Sequence, residues 1–139
     1  MKFKKIGSTY LIRLEKDERI IERLSGLCEK EKIKGGYFFG LGALSELELG
    51  HFNLATQKYS SKKFSGEYEV VSLNGNVSSL DGRIYIHAHI VVGDSEFQSW
   101  SGHLKEATVS ATCEIYLIKL DEDVRRKRDE KTGLNLLDV

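Results

Sequence analysis

The chain predicts an α+β fold, a mostly antiparallel β-sheet with one packing α-helix. Three observations carry this. A single stretch near the start, residues 17–34, has the 3.6-residue apolar period of an amphipathic helix. From residue 37 to about residue 120 the sequence is β-rich, with alternating apolar residues. Short turn signals, not helical crossovers, separate these strands, so neighbours pair antiparallel and no βαβ repeat arises.

Residues 9–14 (T-Y-L-I-R-L) read as the first strand. Asp17 stands where a helix N-cap belongs, with Glu18 in the first turn. Ile20, Ile21, Leu24, Leu27 and Cys28 then form an apolar stripe that continues toward Glu31 and Ile33. Lys30, Lys32 and Lys34 suit the dipole at the helix end, and Gly35-Gly36 supplies a stop. Residues 37–44 form a buried strand interrupted by Gly40 and Gly42, which predicts bulges or a close backbone approach. Strands are also expected at 47–54, 59–64, 68–73 and 77–80, with Asn74-Gly75 as a turn or bulge and Asp81-Gly82 as a turn. Residues 83–92 make a further strand, Gly93-Asp94 reverses the chain into 96–100, and Ser101-Gly102-His103 reads as a loop. The last long strand is 106–120, with Val109, Ala111, Cys113, Ile115 and Leu117 on one face.

The strand R-I-Y-I-H-A-H-I-V-V carries the chemistry. Side chains alternate along a strand, so Ile84, Ile86, Ala88, Ile90 and Val92 share an apolar face, while Arg83, Tyr85, His87, His89 and Val91 share the other. Two imidazoles on one face can share a metal ion, and a zinc site of catalytic type needs a third protein ligand and an open fourth position. His103, fourteen residues on, is the candidate third ligand. The same pair on a strand is also met without a metal. His51, in L-G-H-F, reads as an ordinary strand histidine. For acid–base chemistry beside such a metal, Glu114 is the first candidate carboxylate and Glu69 the second. Arg83, on the histidine face, is a candidate anion-binding residue.

Composition bounds the function. Lys+Arg and Asp+Glu are both 21 in a chain of 139 residues, so the net charge is zero and the basic excess of a dedicated nucleic-acid binder is missing. Arg125, Arg126, Lys127 and Arg128 are the one basic cluster that could meet DNA, and acids flank it on both sides. No apolar run approaches the roughly eighteen residues of a membrane span. The charged start lacks the apolar core of a signal peptide. The two cysteines, Cys28 and Cys113, lie in apolar patterns without C-x-x-C spacing and read as buried free thiols. A single domain over 1–139 in the cytoplasm is expected.

Six short motifs occur in order along the chain: G-x-G-A at 40–43, L-G-H-F at 49–52, S-L-N-G-N at 72–76, D-G-R-I-Y-I-H-A-H at 81–89, S-G-H-L at 101–104 and D-E-K-T-G-L-N-L-L at 129–137. Together they resemble the plant and prokaryote conserved (PPC) domain in its stand-alone prokaryotic form, with Ser101 in place of the usual glycine. The resemblance implies a homotrimeric α+β protein that binds a metal, zinc, through His87, His89 and His103. It implies an interaction or regulatory module labelled DNA-binding. In plant relatives an AT-hook with a Gly-Arg-Pro core contacts the minor groove, and this chain has no proline. The fold resemblance extends to acetolactate decarboxylase, which frames the alternative: a small zinc metalloenzyme acting on a carbonyl or carboxylate.

Overall fold

The computed structural model describes residues 1–139. In chain order it has β1 (Lys2–Ile6), β2 (Thr9–Glu15), α1 (Ile20–Lys30), β3 (Gly36–Asn53), β4 (Lys58–Leu80), β5 (Arg83–Gly93), β6 (Ser99–Lys119), β7 (Arg126–Arg128) and β8 (Asn135–Leu137). The six long strands lie in the order β1-β2-β6-β3-β4-β5, all paired antiparallel. One more pairing joins β5 to the start of β6. The pairs β3–β4, β4–β5, β5–β6 and β6–β3 therefore close into a ring, which leaves that part of the sheet without a free edge. β7 and β8 form a small separate hairpin.

The α+β expectation holds. The predicted strands exist, but they are longer and fewer. The segments 37–44 and 47–54 are one strand, β3, and 59–64, 68–73 and 77–80 are one strand, β4. Asn74-Gly75 makes no turn. Gly75 is needed for packing, because a Cβ there would lie 2.3 Å from Phe38 Cζ and 2.6 Å from the His87 carbonyl oxygen. The bulges expected near Gly40 and Gly42 are present as register shifts between β3 and its neighbours. Opposite them Ala111 turns outward, so it leaves the face it would share with Val109 and Cys113 in a regular strand. Ser101-Gly102-His103 is not a loop but part of β6, paired with β5. β1 was not legible, being charged and exposed along its length.

The helix differs at both ends. Asp17 is a turn residue with φ of 67°, and the residue preceding the helix is Arg19, whose side chain makes no cap. The cap comes from across the fold. Glu106 of β6 accepts from the N–H groups of Ile21 at 2.8 Å and Glu22 at 3.2 Å, so a carboxylate sits on the positive end of the helix dipole. At the other end the Ile33 N–H donates to the Cys28 carbonyl and the Lys32 N–H to Glu29. Lys32, with φ of 53°, takes the left-handed position usually given to glycine. The helix thus stops at Lys30, ahead of Gly35-Gly36. Its face bearing Ile20, Leu24, Leu27 and Cys28 is buried in the apolar core. Cys28 and Cys113 are buried free thiols, and burial pushes both up to about 12. They stay protonated and take no part in metal chemistry.

Candidate metal centre

The alternation of β5 puts Ala88, Ile90 and Val92 into the core and turns His87 and His89 the other way. β6 then brings His103 directly opposite His89 as its paired residue. The ring centroids are 5.2 Å apart for His87–His89 and His87–His103, and 5.6 Å for His89–His103. One nitrogen from each ring lies within 4.8 Å of the others. Three residues separated in sequence are thus brought together by two adjacent strands.

The residues fit a metal on two observations. His103 Nδ1 is buried and has no hydrogen-bond partner. Such a nitrogen is costly to leave unsatisfied, and coordination would satisfy it. The surroundings of His87 and His103 also favour the neutral imidazole, the form that ligates. Burial first, then the charges of His103, Arg126 and His89, bring His87 down to about 4. Burial and the charges of His89 and Lys105 lower His103. Three imidazoles without thiolate or carboxylate are a donor set suited to zinc with one position left open.

The histidines line a cavity of about 360 Å³. Its walls include Phe52 and Tyr59 from the β3–β4 hairpin, whose rings pack 4.9 Å apart. Tyr59 also stands 5.6 Å from the His103 ring. The far wall comes from the C-terminal hairpin, through Arg126, Leu134, Asn135 and Leu136.

Arg126 changes its expected role. In the sequence it belongs to an exposed basic cluster, but in the fold it is 9% exposed and faces the cavity. Its Nε donates to Ser78 Oγ at 2.8 Å, Nη1 to the Asn135 carbonyl at 2.7 Å and Nη2 to Asn76 Oδ1 at 2.8 Å. Nη2 lies 3.5 Å from His87 Nδ1, and the guanidinium stands over the Tyr85 ring at 4.9 Å. Burial lowers its pKa, but an arginine remains charged at neutral pH. The signal for its inward turn was strand alternation in R-R-K-R, hidden because four cations in a row carry no apolar marker.

The other expected site residues lie elsewhere. Glu114 pairs with Arg13 and Leu41, eleven positions along β6 from His103, and lines a groove beside β1 and β2. At ~3.3 Å per strand residue that is tens of ångströms from the histidines. Glu69 is exposed and sits opposite Gly93, at the far end of β5. Arg83 is exposed at the start of β5 and does not line the cavity. His51 does line it, which its sequence context did not signal.

Fold and site together define a small antiparallel-sheet domain with a three-histidine centre. The chain belongs to the Plants and Prokaryotes Conserved (PCC) domain family, whose profile matches residues 1–121. It is similar to a protein provisionally described as DNA-binding from Bacteroides thetaiotaomicron, at 34% identity and TM-score 0.96, covering 99% of this chain and 96% of that one. It is also similar to a plant- and prokaryote-conserved (PPC) protein from Pyrococcus horikoshii, at 34% identity and TM-score 0.88, covering 99% and 95%. A metal-containing protein from Archaeoglobus fulgidus matches at 28% identity and TM-score 0.88, covering 99% of both chains. Among curated proteins, the bifunctional protein GlmU of Synechococcus sp. (strain JA-2-3B'a(2-13)) is 29% identical over 126 residues, 89% of this chain. The chain spans 19% of that relative's length.

Proposed function

We propose that this chain is a metal-binding PCC-family module in which His87, His89 and His103 hold one divalent ion, zinc by donor chemistry, and that residues 1–139 act as one domain of a homotrimer in the cytoplasm. The observation that carries the metal reading is the set of three imidazole nitrogens within 4.8 Å, joined by the buried, partnerless Nδ1 of one of those rings, His103. A bound divalent ion would supply a Lewis-acid position open to an oxygen donor in the cavity. The metal-containing relative from Archaeoglobus fulgidus supports this. No helix is long and apolar enough to cross a membrane. The test is elemental analysis of zinc-loaded, desalted protein. Wild type and His51→Ala should retain about one zinc per chain, and His87→Ala should retain almost none. Equal retention by both variants would sink the assignment.

A metalloenzyme is the second reading, favoured by the cavity beside the histidines. Neither expected carboxylate reaches that cavity, so proton transfer there would fall to Tyr59, Tyr85 or His51, which line it.

The DNA-binding description of structural neighbours transfers weakly. Of the four residues in the basic cluster, Arg126 is buried, Arg125 pairs with Asp123 at 3.7 Å and Lys127 pairs with Asp138. Only Arg128 is exposed and free of an ion pair. We expect weak binding to labelled duplex DNA at 150 mM salt, falling steeply with added salt, and little changed by Arg125→Ala with Arg128→Ala. Tight, sequence-selective binding at that salt would make DNA the primary partner.

A further inference from the structure

Arg126 is a buried cation without an anion. Its three oxygen acceptors are a hydroxyl, an amide oxygen and a backbone carbonyl, all neutral, and its one further contact is the His87 ring nitrogen Nδ1 at 3.5 Å. None of the 13 residues that line the cavity is an aspartate or a glutamate. Burying an arginine removes it from water at considerable cost, and folded proteins normally offset this with a carboxylate. Here the same cavity also holds the three histidines, so a divalent ion would add two further positive charges to a wall that already carries one.

We infer that the cavity binds a small carboxylate and that Arg126 is the residue that holds its negative charge. The inference rests on the metal reading of the same site, which it extends to the class of ligand. Three of the five guanidinium N–H groups are donated to protein oxygens, which fixes the plane; Nη1 keeps one N–H without a partner, and the second on Nη2 has only the 3.5 Å contact to His87 Nδ1. A carboxylate matches the free Nη1 donor and competes with His87 Nδ1 for the long Nη2 contact, as charge-assisted bonds between these groups are short and directional. A phosphate has more acceptor oxygens than this wall can serve, and no lysine lines the cavity. Phe52, Leu134 and Leu136 offer the carbon skeleton of an organic acid an apolar wall. A volume of about 360 Å³ is ample for a small organic acid.

Arg126 and the two leucines lie beyond residue 121, outside the part of the chain that the family profile matches. The C-terminal hairpin thus contributes the charge and one wall of the ligand cavity, while the histidines come from the matched part. That hairpin is held by Thr132, which donates through its N–H and hydroxyl to Asp129, and by Gln57, whose amide reaches the Lys131 carbonyl at 3.1 Å.

Calorimetric titration of zinc-loaded protein with glycolate, with its neutral analogue glycolamide and with inorganic phosphate tests the inference. Zinc content is measured on every sample first. Glycolate should bind at least about tenfold more tightly than glycolamide, the size expected for one charge-assisted hydrogen-bonded contact. Arg126→Met should erase that preference while zinc content stays at the wild-type value, and Arg126→Lys should keep part of it. Equal binding of glycolate and glycolamide by wild type, which needs no variant to fold, would overturn the inference. So would a preference that survives Arg126→Met, or phosphate binding more tightly than glycolate. Zinc missing from wild type would instead defeat the metal reading, and the preference for glycolate would still be read on the same protein.

Discussion

Replacing Gly75 with alanine should destabilise the protein by about 3 kcal/mol or more, the upper part of the range for overpacking a core. Nothing in the local sequence warns of this, since S-L-N-G-N reads as a turn. In the fold, Gly75 lies within β4 opposite Ala88, and Phe38 packs its ring where the alanine methyl would go. Phe38 is almost wholly buried and has no open side to move into. The second obstacle is the His87 carbonyl oxygen, which is backbone and belongs to the histidine strand. The methyl must therefore displace either the core or β5, and β5 carries two of the three histidines. Thermal unfolding followed by circular dichroism should show a drop of roughly 10 °C. Gly26→Ala is the control. Gly26 lies in α1 with nothing within 4 Å of the added carbon, so that change should stabilise the helix by about 0.5–1 kcal/mol. A Gly75→Ala protein as stable as wild type would show that β4 and Phe38 do not pack as described.

Light scattering at micromolar concentration should report about three times the 15.7 kDa chain mass. Successive residues of β3 alternate, so Phe38 enters the core while Tyr37, Phe39 and Leu41 stand on the opposite face, with Leu41 61% exposed. Tyr116 of β6 stacks on Phe39 at 5.3 Å between ring centroids, which extends the same apolar surface to the next strand. Large rings and a leucine side by side in water are typical of a surface that a partner covers, and the proposed closed symmetric assembly would cover it. Phe39→Glu combined with Leu41→Arg should reduce the mass to that of one chain while leaving the circular dichroism spectrum intact. A wild-type mass of one chain, unchanged on dilution or concentration, would contradict the assembly.

What the sequence revealed about the site, it revealed through local periodicity. The two faces of residues 83–92 follow from alternation alone, and so does the segregation of His87 and His89 from the core. What it concealed depends on contacts between distant segments. The helix cap is Glu106, more than eighty positions from the N–H groups it accepts from. The two polar breaks inside β4, at 65–67 and 74–76, and the S-G-H stretch of β6 have loop-like residues, yet strand pairing holds them extended: Ser65 pairs with β3, Asn74–Asn76 with both β3 and β5, and Ser101–His103 with β5. The charged β1 is a strand because β2 offers it an edge, not because its own residues favour one. Among the arginines, Arg83 shares the histidine face by period but sits too far along the strand, whereas Arg126 arrives from the tail and is held by Asn76 and Ser78 of β4.

In the proposed metal centre three imidazoles and no other protein group hold the ion. X-ray absorption at the zinc edge tests this most directly on zinc-loaded protein at one equivalent per chain. The expected first shell is three histidine nitrogens and one light oxygen-type ligand at about 2.0–2.1 Å, with no sulfur at about 2.3 Å. A sulfur contribution, or a shell of oxygens without the outer scattering of imidazole rings, would contradict it.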